Sequence, residues 1–148
     1  MAILFQLLLA LQFITQVRSP QTQLPTIYFN QVFTLHQYNQ VIISDSTAEN
    51  RLVVSLGNIL DSRCPADVLC IKAGTAAVNL QLSDLNRESA TITLDVGGNK
   101  HMKPQASKSN SITLAGATYT VTVLDVMPYP TATGVQLSKN IRIIVAKL

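Results

Sequence analysis

The sequence predicts an all-β fold, an antiparallel Ig-like β-sandwich of about 7–8 strands, on three observations. Apolar and polar residues alternate through most of the chain after residue 29. Outside an apolar N-terminal leader, no amphipathic helix of about ten residues can be drawn. Charged residues make up only 13% of the chain, about half the usual share, while threonine, valine, leucine, isoleucine, asparagine and glutamine are abundant. A small β-barrel is the alternative closure of the same strands. The 148 residues suffice for one domain with a real core and are too few for two comfortable ones.

Taken in order, Phe33 and Leu35 share one face of a first strand, Val41 and Ile43 of a second, and Leu52, Val54 and Leu56 of a third. Ala76, Val78, Leu80 and Leu82 alternate with Thr75, Ala77, Asn79 and Gln81, the pattern of a half-buried strand with one wet face. Ala90, Ile92, Leu94 and Val96 point inward on the next, with Thr91, Thr93 and Asp95 outward. The stretch 97–110 carries three of the six lysines and no period, and it reads as a long exposed loop. Ile112 and Leu114 mark a short strand, and Gly116 allows a tight turn. Tyr119, Val121 and Val123 alternate with Thr118, Thr120 and Thr122, but Leu124 and Val126 continue out of phase across Asp125. That slip predicts a bulge or burial on both faces. Met127-Pro128-Tyr129-Pro130 predicts an extended exit in which neither proline donates to a ladder. Ile141, Ile143 and Val145 form the last inward row.

Residues 1–19 read as a signal peptide or N-terminal anchor. From Ala2 to Ile14 the chain is apolar apart from Gln6 and Gln12, and it is shorter than the roughly 20 residues that a bilayer core requires. No lysine or arginine precedes the run, and the best small-residue cleavage pattern, Val17-Arg18-Ser19, is followed by Pro20. No cysteine follows it, so a lipobox is not expected. Residues 20–28 hold two prolines and read as a linker, which leaves 29–148 as a single β-sandwich domain. The expected location is secreted or periplasmic, with membrane attachment only if the leader stays uncleaved. The formal charge of +3 is spread over scattered lysines and arginines, so there is no basic stripe of the kind that binds nucleic acid.

The chain's two cysteines, Cys64 and Cys70, lie between strand-like segments. A local disulfide agrees with export to an oxidising compartment and is the expected state. A redox-active pair fits less well, because reactive dithiols are typically Cys-x-x-Cys at a helix N-terminus. A metal site would have to recruit His36, His101 or Met102, and none of these has a ligand spacing. Asp61 and Arg63 are close enough to pair with one another or with the amides of the turn.

The runs Asp61-Ser62-Arg63-Cys64-Pro65, Cys70, Ala73-Gly74 and Leu124-Asp125-Val126-Met127-Pro128-Tyr129-Pro130 resemble a group of small secreted or lipid-anchored bacterial proteins. These are frequent among Bacteroidetes, with a pattern near D-S-R-C-P-x-x-x-x-C-x-W-A-G followed by L-D-V-x-P-Y-P. The similarity covers Phe29 to the C-terminus. Lys72 stands where the group has tryptophan, and the lipobox cysteine common in the group is missing. The resemblance implies a compact β domain and, since the group has no assigned activity, no catalytic residue.

Enzymatic templates fail. The chain has no Gly-x-Ser-x-Gly elbow, no His-Glu-x-x-His, no phosphate loop and no dinucleotide fingerprint, and its eight acidic residues are dispersed. No catalytic residue, metal or cofactor is therefore expected. A cryptic enzyme would need His36 or His101 beside Asp45, Asp125 or Ser62. The basic residues Lys100, His101, Lys103 and Lys108 could meet an anionic glycan, lipid A or a membrane surface, although a solvated loop is the simpler reading. The expected function is an exported, non-catalytic module that binds a protein or envelope partner, with loop 61–74 and the Pro-Tyr-Pro segment as contact surfaces. Arg63, Lys72 and Tyr129 are the candidate binding residues. The alternative is a small secreted protease inhibitor presenting loop 61–74, since a stiffened loop lowers the ordering cost of binding.

Overall fold

The computed structural model describes residues 24–97, 107–134 and 137–148. Among the described residues nine strands follow one another: β1 (Thr26–Tyr28), β2 (Val32–His36), β3 (Gln40–Ser44), β4 (Arg51–Asp61), β5 (Thr75–Asp84), β6 (Ser89–Gly97), β7 (Lys108–Leu114), β8 (Ala117–Met127) and β9 (Asn140–Lys147). One sheet has the order β1-β3-β4-β5-β6 and the other β2-β9-β8-β7. Two separate sheets make this a β-sandwich and not a closed barrel. All the described pairings are antiparallel except that of β1 with β3.

Period-two alternation builds the core. Leu52, Val54 and Leu56 of β4, Val78, Leu80 and Leu82 of β5, and Leu94 and Val96 of β6 face inward from one sheet. Leu35 of β2, Val121 and Val123 of β8, and Ile141, Ile143 and Val145 of β9 meet them from the other. Each side chain so buried contributes about 1.5–3 kcal/mol relative to exposure. Within the second sheet, hydroxyl pairs stitch the edge strand β7 to β8: Ser109 with Thr122 at 2.9 Å, Ser111 with Thr120 at 3.1 Å and Thr113 with Thr118 at 3.1 Å.

Two boundaries differ from the sequence expectation. The ordered sheet begins at Thr26 and not at Phe29, because Thr26, Ile27 and Tyr28 pair with Ile42, Ile43 and Ser44. Two β-branched residues and an aromatic suit a strand, and Pro25 lies just outside the ladder, where it accepts from Ile42 N at 3.0 Å. The expected loop 97–110 also gives up its last residues, since Lys108, Ser109 and Asn110 already belong to β7. Its central part, with Lys100, His101, Met102 and Lys103, lies outside the described residues, as does the segment 1–19 expected to be a signal peptide or anchor.

Two bulges shape one end of the sandwich. The slip expected near Asp125 is present: β8 shifts register against β9 between Val123 and Asp125, which lets both Val123 and Val126 face inward. The second, in β4 between Leu56 and Ile59, is not anticipated by the alternation of Leu52, Val54 and Leu56. It transfers the inward row from even to odd positions, so Ile59 is buried while Leu60 is 62% exposed. Asp61 thereby joins the inward row, at the strand's end.

Candidate functional site

Residues 62–74 connect β4 to β5 at that end, and the β4–β5 ladder continues into them. Ser62 N donates to Thr75 O, and Cys64 N donates to Ala73 O, both at 2.8 Å. The Ser62 hydroxyl also donates to Thr75 O at 2.8 Å. This close approach is why position 74 is glycine: its φ is +70°, and a Cβ there would lie 1.9 Å from Ser62 O. Beyond this base Cys64 and Cys70 are bonded, with their Cα atoms 5.9 Å apart. A disulfide fits an extracytoplasmic location. Among the described residues no helix is long and apolar enough to cross a membrane.

The base of the loop is tied to both sheets by Arg63, which is only 3% exposed. Its Nε donates to Asp61 Oδ1 and its Nη2 to Asp61 Oδ2, each at 2.7 Å. Arg63 N also donates to Asp61 Oδ1, at 3.2 Å, so the pairing and the turn bond expected from the sequence occur together. Across the sandwich, Nη1 donates to Val126 O at 2.9 Å and Nη2 to Pro128 O at 3.4 Å. The guanidinium carbon lies 4.3 Å from the centroid of the Tyr129 ring, a cation–π contact. Lys139 Nζ completes the cluster, 2.7 Å from Asp61 Oδ2 and 3.1 Å from Pro128 O. Burial raises the Asp61 pKa, but hydrogen bonds from Arg63 and Lys139, with the charge of Arg63, outweigh it and hold the carboxyl below its ordinary value.

The loop is further braced from outside. Ala66 N donates to Pro130 O at 3.0 Å, and Asp67 Oδ1 accepts from Ala132 N at 2.8 Å. The Pro-Tyr-Pro segment, entered through a cis Met127-Pro128 peptide, is thus a buttress of the disulfide loop. At the far end of the loop, Leu69 is 104% and Ile71 92% exposed, with Val68 at 42%. These three residues leave aliphatic surface exposed to solvent at the far end of a braced loop.

The structure therefore brings Arg63 and Tyr129 together as a stacked pair at the root of the loop, with Arg63 out of solvent, and leaves Lys72 exposed on the returning limb. His36 is exposed on β2, opposite Asn140, and His101 lies outside the described residues. Asp45 binds Thr47 Oγ1 and the amides of Glu49 and Asn50, while Ser62 binds Thr75. Among the described residues no three of His, Cys, Asp or Glu converge so as to hold a metal ion. Sequence reasoning missed Lys139, the second cation on Asp61, and the apolar apex Val68-Leu69-Ile71. Val68 and Leu69 were visible as aliphatic residues inside the cysteine-bounded turn, with Ile71 directly after it, where no strand could bury them. Nothing in the sequence around Lys139 marks its pairing.

The chain matches no protein-family model, no curated protein and no solved structure.

Proposed function

We propose that this protein is an exported, non-catalytic binding module that presents the disulfide-held loop 61–74 to a protein or envelope partner. One observation carries the reading: Leu69 and Ile71 are fully exposed at the apex of a loop whose root is fastened by Arg63 and braced by Pro130 and Ala132. A loop already ordered before binding loses little conformational freedom on contact, and a few anchoring side chains can carry most of an interface's energy. Arg63 and Tyr129 act in this reading by holding the loop's root, and Lys72 lies beside the apex.

The test is retention of envelope and secreted proteins from the source organism on the immobilised protein, compared with the Leu69→Ser/Ile71→Ser variant. A partner should be held by the wild type and lost, by about tenfold or more in affinity, from the variant. A partner held equally by both refutes the apex as the contact surface. The inhibitor reading draws on the same exposed apex. It predicts that a protease in those fractions is inhibited by the wild type and released by Leu69→Ser, whereas a simple binder leaves proteolysis unchanged.

A further inference from the structure

Beside the loop the structure holds a groove that the exposed tip Leu69 and Ile71 does not line. Tyr38, in the turn between β2 and β3, is 76% exposed and has φ 65°. The left-handed region suits glycine or asparagine, and a bulky side chain held there costs of order 1 kcal/mol. The core gains nothing from this ring, and its hydroxyl makes no hydrogen bond to a described residue. The backbone nevertheless anchors it, with Tyr38 N donating to Leu56 O at 2.8 Å.

Tyr38 stands between two depressions and lines both. One, of about 530 Å³, is walled by Asn58, Tyr129, Thr131 and Ser138. The other, of about 400 Å³, is walled by Thr34, Asn39 and Gln40. Each falls within the size range of small-ligand sites, and the groove is the surface on either side of Tyr38, which borders both. The polar groups along it are largely amides and hydroxyls, which both donate and accept as sugar hydroxyls do. The charged groups of the larger depression, Asp61 and Lys139, are paired with each other at 2.7 Å. Gln37 Nε2 donates to Asn58 Oδ1 at 3.1 Å, so the floor is prearranged.

We propose that this groove binds a neutral polysaccharide, with a sugar ring stacked on Tyr38 and hydroxyls hydrogen-bonded on either side. An exposed aromatic face offers apolar surface to the C–H face of a pyranose, and the amides beside it supply orientation. A charged polymer would find no unpaired partner in the larger depression.

The experiment is native-gel retardation of the full-length protein by galactomannan, xyloglucan and hydroxyethylcellulose, with polyglutamate and a casein digest as charged and peptide competitors. Tyr38→Gly relieves the left-handed strain, so it should melt at or above the wild-type temperature while its retardation constant weakens by about tenfold or more. Tyr38→Phe keeps the ring and should stay within about threefold of wild type, and Leu69→Ser should be unchanged. Any of these results would overturn the proposal: no retardation by any of the three neutral polymers, Tyr38→Gly retarded as strongly as wild type, or Tyr38→Phe as weak as Tyr38→Gly. Displacement by the casein digest in place of sugar would assign the groove to peptides and equally overturn it. Failure of the apex substitutions to affect a protein partner would leave these outcomes untouched.

Discussion

Replacing Arg63 by methionine keeps much of its buried stem and removes the guanidinium. The lost interactions are the bidentate pair with Asp61 at 2.7 Å, the bonds to Val126 O and Pro128 O, and the stacking on Tyr129. The Arg63 side chain is 0% and that of Asp61 5% exposed, so this is a buried pair and not a surface one. Breaking a buried pair by removing one partner costs about 3–5 kcal/mol, against about 0–1 kcal/mol for an exposed pair. Lys139 remains on Asp61 Oδ2, which partly neutralises the stranded carboxylate and places the expectation at about 3 kcal/mol, the lower end. Urea unfolding of Arg63→Met against wild type measures it. The Asp61 carboxyl also titrates below its ordinary value, and a depressed carboxylate stabilises the fold above its unfolded pKa and loses that contribution as pH falls through the lower folded value. Wild-type stability should therefore hold from about pH 7 to 5 and fall below about pH 4, and Asp61→Asn should flatten that acid limb. A loss under about 1 kcal/mol for Arg63→Met, with an unaltered acid limb in Asp61→Asn, would refute the cluster as a fastening.

Gly74→Ala should destabilise by about 2–4 kcal/mol, combining left-handed strain with loss of ladder bonds as Ser62 O is pushed aside; thermal melting checks it, and a change under about 0.5 kcal/mol would contradict the 1.9 Å approach. Replacing Cys64 and Cys70 by serine should cost roughly 2.4 kcal/mol in the chain-entropy model. It should also speed amide exchange in residues 64–72 while β5 and β9 keep their protection, and a general loss of protection would contradict a local role.

Much of this architecture was legible because burial on one face imposes a period of two. Val78, Leu80 and Leu82, or Ile141, Ile143 and Val145, leave no other reading. The bulge in β8 was legible too, since Val123 and Val126 cannot face one side of a regular strand. The bulge in β4 carried a fainter signal: Gly57 inside a strand and the change from Leu56 to Ile59 as the inward residue. Without it Asp61 reads as an outward residue and its buried pairing is hidden. β1 was obscured by Pro25, which ends just before a short parallel pairing that only a neighbour 16 residues away makes possible. Lys139 owes its place to tertiary contacts, and Tyr38 sits in a turn closed locally by Asn39 N on His36 O but held to Leu56 O across the sheet, with no mark in the local sequence that its ring stays exposed.

The two bulges end at the same place, and that coincidence explains how one residue can fix a loop against both layers. β4's extra residue turns Asp61 inward, and β8's turns Val126 inward, so a side chain from the following loop can reach a carboxylate of one sheet and carbonyls of the other. Arg63 fills that position because its planar fork serves several acceptors at once, which a lysine cannot do from one point charge. The loop apex is then stiff for a reason located at its root, while its aliphatic tip remains free of structural duty. The groove shares Asp61, Tyr129 and Lys139 with this root but not the tip. Substitutions at the root should therefore disturb both proposed surfaces together, whereas Leu69 and Tyr38 should each affect one alone. Independent loss at those two positions would show two ligands on one end of the sandwich, and joint loss would show a single extended one.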